Sequence, residues 1–201
     1  MSQQFQSLIE NRRTIYHIGK NVQLSTQDLT HLIENAIEHA PSAFNSQTSR
    51  AVILFHAEHE AFWSLAFDQL KQFLSDDEAK ERTQAKLNSF SAGIATILFF
   101  EDTDVVKGLQ TQFPLYADNF PVWSEHSTGI AQFAVWTALA EQGLGASLQH
   151  YNPVVDDAVQ QKWDVPSNWK LRAQLVFGSV ESGAAEKTFI DRATRFKVFG
   201  S

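Results

Sequence analysis

Three short apolar runs constrain this chain more than any other feature. "AVILF", residues 51–55, is too short and too uniformly apolar for a surface element, so it reads as a central strand. "IATILFFED", residues 94–102, and "LRAQLVFGSV", from Leu171, are the other two strong strands. Helical patterns separate them. In "STQDLTHLIENAIEHAP", Ser25 caps the start with Asp28 three residues on, and Leu29, Leu32, Ile33, Ala36, Ile37 and Ala40 share one face. Pro41 disfavours a helical Ala40 and stops that helix. Residues 58–73 return to the helical period, and another helix starts after Ser75, where Asp76, Asp77 and Glu78 suit the positive end of its dipole. "TGIAQFAVWTALAEQGLG" predicts a helix buried over much of its surface and closed by Gly143 or Gly145. "ASLQHYNP" follows as a short strand and turn.

The expected fold is therefore α+β or α/β, a single domain over residues 1–201 with a mixed central β-sheet flanked by helices. No internal period and no linker rich in Pro, Gly or Ser divides it. The tail "KTFIDRATRFKVFGS" carries Phe189, Phe196 and Phe199 with no evident place in its own core, which argues for an arm that wraps a partner subunit.

Composition removes several classes of function. With 43% hydrophobic residues the chain is globular rather than disordered, and a net charge of −7 argues against a broad nucleic-acid footprint. No apolar run is long enough to cross a bilayer, and "MSQQFQSLIENRR" lacks the apolar core of a secretion signal, so the expected compartment is the cytoplasm. The absence of cysteine removes disulfides and thiolate chemistry. "HAEHE", with His56, His59 and Glu60, does not have zinc-protease spacing, and no metal site is expected. Neither a Gly-x-Ser-x-Gly elbow nor a glycine-rich phosphate loop occurs, and "GLGAS" reads as a helix cap.

Two features remain. "APSAFNSQTSR", residues 40–50, concentrates hydroxyls and amides in one connection, either as solvated loop or as a polar rim facing a ligand. "NRRT" (Asn11 to Thr14) and "RATRFK" hold five of the sixteen basic residues in two short segments of an acidic protein. Arginine's planar fork suits bidentate phosphate binding, so the two segments either converge on one phosphoryl group or are separate solvated clusters.

These segments, "GLGASLQHYNP" and the basic tail come in the order seen in the FMN-dependent nitroreductases, which the chain resembles over nearly its whole length. "RFKVFG" and "IATILFFED" are most similar to the compact branch of fatty-acid-repression and copper-induced nitroreductases. The resemblance implies a homodimer that binds FMN between its subunits, with the polar loop of one chain reaching flavin held mainly by the other. Ser42, Asn45 and Gln47 would contact the pyrimidine edge or ribityl chain. Arg12, Arg13 and Thr14 would form the N-terminal flavin segment, one arginine at the phosphate and the other at the N1/O2 side. Arg195 and Lys197 would reach the phosphate from the tail, with Arg192 either joining them or lying at the surface. The stretch through Gln149, His150 and Tyr151 would run beside the isoalloxazine, although the family's Glu-Gly pair is missing there. The implied activity is ping-pong reduction of nitroaromatics, quinones or similar electrophiles by NADH or NADPH, with hydride passing through flavin N5. The alternative is a flavin-binding regulatory or storage protein with only slow turnover. Phe44, Phe113, Tyr116, Phe120, Trp123 and Tyr151 are candidate walls of a broad acceptor pocket, and residues 112–127 a candidate lid or rim.

Overall fold

Strand β3 (Ala95–Asp102) is buried at every position, which explains its unbroken apolar run. Successive side chains point to opposite faces, and both faces are covered. Ile97 and Phe99 enter one core with Leu29, Ile33, Val135 and Leu139, while Leu98 and Phe100 enter a second with Phe62, Trp63, Leu87 and Phe90. The computed structural model describes residues 3–200.

Around β3 lie β2 (Ser49–Phe55) and the long β5 (Trp169–Val180), which also pairs with β4 (Leu144–Gln149) and with the two-residue β1 (Ile18–Gly19). All four ladders are antiparallel, and the mixed character expected of the sheet comes down to one parallel bridge, Thr14 to Ala146. Two helices, α3 (His56–Leu70) and α4 (Asp77–Ser91), stand between β2 and β3. A chain that goes back and forth twice re-enters the sheet reversed, whereas one crossover helix would leave it parallel.

Helix α2 (Thr26–Glu38) starts as expected: Ser25 Oγ accepts from the Asp28 backbone N–H at 3.1 Å. Helix α4 is capped by Asp76, whose Oδ1 accepts from Ala79 N at 2.7 Å. Elsewhere the helices depart from expectation. Helix α1 (Gln3–Asn11) carries the amphipathic spacing of Phe5, Leu8 and Ile9, whereas α5 (Thr103–Gln112) and α7 (Asp156–Trp163) were not anticipated, and α6 (Phe120–Glu141) begins eight residues before Thr128. Pro121 sits in its first turn, where a missing N–H costs nothing. The expected lid is consequently a 3₁₀ turn, Pro114–Asn119, running into α6. Gly143, at φ 75°, ends α6.

His59 is fully buried: its Nδ1 lies 2.8 Å from Thr96 Oγ1, and Trp63 Nε1 donates to the same Oγ1 at 3.0 Å. Burial pushes the imidazole down to about 4, so it stays neutral in the core at neutral pH. Glu60 pairs instead with Lys20.

Gly19, Gly93 and Gly178 meet where β1 continues the edge of β5 beyond β3. A Cβ on Gly178 would stand 2.2 Å from the Gly19 carbonyl oxygen and 3.2 Å from Gly93 Cα. This contact fixes the path of the segment leading out of α1. Gly178→Ala should therefore lower the unfolding free energy in denaturant titration by about 3 kcal/mol. An unchanged midpoint would mean that the backbones there are not in contact.

Candidate functional site

Thr14 and Ile15 run along β4, with Ile15 N donating to Ala146 O at 3.0 Å. This holds Arg12 and Arg13 at the mouth of a cavity of about 550 Å³, shared with Thr14, Tyr16, His17 and the segment 182–187. The Arg12 guanidinium lies 4.4 Å over the Trp136 ring and 5.9 Å from that of Phe133, both on α6. Its Nε is buried without a partner. Burial first, and the Arg13 charge second, lower its pKa from the ordinary value near 12.5. Arg13 Nη2 donates to the Ala185 carbonyl at 2.5 Å and ties down the start of the tail. Two crowded cations with an unspent buried donor favour an anion. Tyr16, His17 and Lys187 were not anticipated here; the spacing of two from Thr14 to Tyr16 was the available signal.

The polar loop is rigid. Ser42 Oγ accepts from Gln47 N at 2.9 Å, closing a 3₁₀ turn over Ala43–Asn45. Phe44 (φ 58°), Asn45 (φ 49°) and Gln47 (φ 47°) are all left-handed, a conformation Asn accepts and Phe resists. Arg50 donates to Gln47 O at 2.5 Å and to Ser49 O at 3.1 Å, and pairs with Asp102 at 2.9 Å. Asp102 Oδ1 accepts from Asn168 Nδ2 at 2.9 Å and from the Asp104 and Val105 N–H groups at the start of α5. Burial alone would raise the Asp102 pKa, but these bonds and the Arg50 charge together hold it below the ordinary value. Buried Thr48 accepts from Ser124 of α6 at 2.7 Å.

At the end of β4, Gln149 Nε2 donates to Ser147 Oγ at 3.1 Å. His150 lines a polar cavity of about 320 Å³ with Glu125, Thr128, Gly129, Gln132 and Arg172. Arg172 is held there by Glu101 at 2.5 Å and Glu125 at 2.7 Å. Tyr151 is not a pocket wall. Its ring packs edge-on to Trp63 at 5.7 Å in the core, and burial pushes its phenol up to about 12. The other five aromatics do gather, around Phe44.

Helix α6 sets the relation between these parts. Glu125, Gly129, Gln132 and Trp136 recur at i, i+3 and i+4 and form one stripe from the His150 cavity to Arg12. Ser127, which meets the polar loop, lies roughly 170° around the helix from that stripe, but Thr128 of the His150 cavity is only about 40° from Ser124, which donates to Thr48 beside the loop. Within one chain, then, Arg12, Arg13 and Thr14 line one cavity, His150 a second, and Ser42 and Gln47 a third. Arg195 and Lys197 join neither group: the tail is exposed from Ala185 to Gly200, and the Arg195 guanidinium lies 5.6 Å from the ring of Phe196.

The α+β domain thus carries a cation-lined cavity beside β4 and, against α6, a polar loop held by its own hydrogen bonds. The nitroreductase family model matches residues 9–179. The chain is similar to the nitroreductase CinD of Lactococcus lactis in complex with nicotinic acid, with 54% identity and a TM-score of 0.90 over 97% of this chain and 99% of that one. CinD has also been solved with chloramphenicol and with 4-nitrophenol. Nitroreductase FRM2 of Saccharomyces cerevisiae is 37% identical over 91% of each chain. A protein of Exiguobacterium sibiricum in complex with FMN, 15% identical with a TM-score of 0.69 over 97% of each chain, shares the fold. The chain belongs to the nitroreductase family, a family of oxidoreductases, and no helix among the described residues is long and apolar enough to cross a membrane.

Asp102→Asn should destabilise the protein by about 1–3 kcal/mol at pH 7, because it removes the charge that Arg50, Asn168 and two backbone N–H groups surround. A carboxylate held below its ordinary pKa stabilises the fold in full above about pH 4 and loses that effect as pH falls through its folded value. Denaturant midpoints of parent and variant should thus converge in acid. A gap independent of pH would exclude the carboxylate's charge as its cause.

Proposed function

We propose that this protein is an FMN-dependent NAD(P)H oxidoreductase that reduces nitroaromatics, quinones or similar electrophiles, with each flavin held between two copies of the chain. The observation that carries the reading is the buried, unpartnered Arg12 Nε beside Arg13 in the large cavity. A partly buried Arg12 with a free donor, beside Arg13, fits a flavin's phosphate or its electron-accepting N1/O2 edge. CinD, similar over almost the whole chain, is solved with 4-nitrophenol and chloramphenicol, which supports a nitro compound as acceptor.

Arg12 and Arg13 supply fixed positive charge, one to the phosphate and the other to the N1/O2 edge of the ring, with Arg12 held on Trp136 and Arg13 on the Ala185 carbonyl. Thr14 adds a hydroxyl to the same wall. Gln149 and His150 border the ring, where the end of β4 frees backbone donors. Ser42, Asn45 and Gln47 come from the partner copy, since in their own chain Ser42 and Gln47 line a cavity separate from that of Arg12 and Arg13. Arg195 and Lys197 reach the phosphate on the exposed arm. The chemistry that FMN supplies when bound is hydride transfer at N5 between NAD(P)H and the acceptor. One cavity used in turn by donor and acceptor makes the kinetics ping-pong.

Homodimer formation is supported by apolar side chains exposed on α1 (Phe5, Ile9), α6 (Ile130, Phe133) and the tail (Phe189, Ile190, Phe196, Val198, Phe199). In this reading the protein works in the cytoplasm, where NAD(P)H is available.

The test is the visible spectrum of the purified protein, before and after anaerobic addition of NADH and then NADPH. A flavin band that bleaches within the dead time of mixing is expected. A bound flavin that scarcely bleaches would point instead to a storage or regulatory role, and a colourless protein that cannot be loaded with FMN would overturn the proposal. Replacing Arg12 and Arg13 together by alanine should weaken FMN binding by roughly 100-fold or more. Unchanged retention would remove their assigned role.

A further inference from the structure

Helix α3 enters the core by the stripe His59, Phe62, Trp63 and Ala66, and a histidine holds the first of these positions. The hydrogen bonds around it admit one arrangement of protons. His59 Nε2 lies 3.3 Å from the Ser91 carbonyl at the end of α4, and a carbonyl only accepts, so Nε2 carries the proton. Nδ1 of the neutral ring is then bare and accepts from the Thr96 hydroxyl at 2.8 Å. Trp63 Nε1 donates to the same hydroxyl oxygen at 3.0 Å. The bonds thus run one way, from the Trp63 N–H through the Thr96 O–H and the imidazole to Ser91. They tie α3 and the end of α4 to β3.

A second proton does not fit this arrangement. It would sit on Nδ1, facing a hydroxyl whose own proton already points there. Its charge would also be stranded, because His59 and Thr96 are both 0% exposed. The charged groups that act on His59 are Lys20, just beyond β1, and Glu60 of its own helix, with His56 beside them. Lys20 and Glu60 pair with each other at the surface and leave nothing over for the ring. From β3 and the end of α4 come only the Thr96 hydroxyl and the backbone of Ser91 and Gly93. A charged imidazole therefore reaches water only if α3 lifts from β3. Trp63, one turn further on, lifts with it, and its ring packs at 5.7 Å on Tyr151, the residue after His150 beyond the end of β4.

We propose that His59 is an acid-sensitive latch: neutral, it holds α3 and the end of α4 on β3, and a second proton releases them. The latch goes beyond the proposed oxidoreductase reading and needs no flavin to operate. Burial pushes the imidazole down from the ordinary 6.5 to about 4 in the closed chain, so an opened chain takes up the proton first. The latch is closed in full above about pH 6.5, and opening becomes more favourable by up to about tenfold per pH unit as pH falls from there towards 4. Asp102, held below its ordinary carboxylate pKa, keeps its charge through that window. Opening also disturbs the stretch through His150 and Tyr151, which the proposed flavin borders.

Amide hydrogen exchange read residue by residue on the full chain at pH 7 and pH 5, corrected for intrinsic rates, tests this. The comparison is His59→Gln, whose amide oxygen accepts from Thr96 and whose amide N–H donates to Ser91, but which does not titrate. In the parent, opening of α3 and α4 should become roughly 20-fold more frequent at pH 5, and the Tyr151 N–H, bonded to Gln174, should follow. In His59→Gln the change should stay within about twofold. Unchanged opening in the parent, or an equal rise in both proteins, would overturn the latch. Should His59→Gln fail to fold, nitrogen NMR of the parent's seven imidazoles decides. One ring should remain neutral at pH 5 with its proton on Nε2, and a spectrum with every ring charged there would exclude the latch. Flavin absorbance of the same samples keeps the two proposals apart, since a parent that binds no flavin defeats the proposed function and not the latch.

Discussion

A rigid helix cannot bring two of its sides to one small ligand, and α6 makes that constraint decisive. Glu125, Gly129, Gln132 and Trp136 face the cavities of His150 and Arg12, whereas Ser127 faces the polar loop roughly 170° away. The helix is packed along its length through Phe120, Ala131, Val135 and Leu139, so it has no freedom to rotate. The two halves of the proposed flavin site are complete but separated in one chain. A second copy is the simplest source of the missing half, and exposed apolar residues on α1, α6 and the tail offer the surface to recruit it.

Each half is preorganised by a different kind of interaction. On the cation side, Trp136 and Phe133 hold Arg12 by its flat guanidinium face and leave its edge free for a ligand. On the loop side, a buried carboxylate, Asp102, collects Arg50, Asn168 and the first N–H groups of α5, and Arg50 then fixes the carbonyls of Gln47 and Ser49. Both devices fix polar groups in advance, so a ligand arriving there has less ordering entropy to overcome.

Much of this was legible in the sequence, and what was not has identifiable causes. The strands at 94–102 and from Leu171 were visible because two covered faces demand unbroken apolar runs, whereas 51–55, expected to be central, forms the edge strand β2, in which only Leu54 is buried. Ser25 and Asp28 announced α2 by side-chain chemistry alone. Helix α5 was hidden because it buries only Val106 and carries Gly108 within it, and α7 because its start has no side-chain cap. The start of α6 was masked by Pro114 and Pro121, read as loop markers although a proline in a first turn belongs to the helix. That misplacement hid the angular relation between Ser127 and Glu125, on which the shared site depends. The arginine pair stood out by charge density and the spacing of two from Thr14 pointed to Tyr16, but His17 and Lys187 enter the cavity through the path of the chain and of the tail, which no spacing encodes. Tyr151 follows a polar stretch and so looked like a pocket wall, yet its ring belongs to the core around Trp63.

The central claim, that one flavin is shared by two chains, is tested most directly by complementation. One chain carries Arg12→Ala and Arg13→Ala; the other carries Ser42→Ala, Asn45→Ala and Gln47→Ala. Flavin absorbance per protein would be measured for each homomer and for the co-expressed, purified mixed species. The account predicts little or no flavin on either homomer and its return on the mixed one, where one site receives both intact halves. A mixed species as colourless as its parents would contradict the shared site.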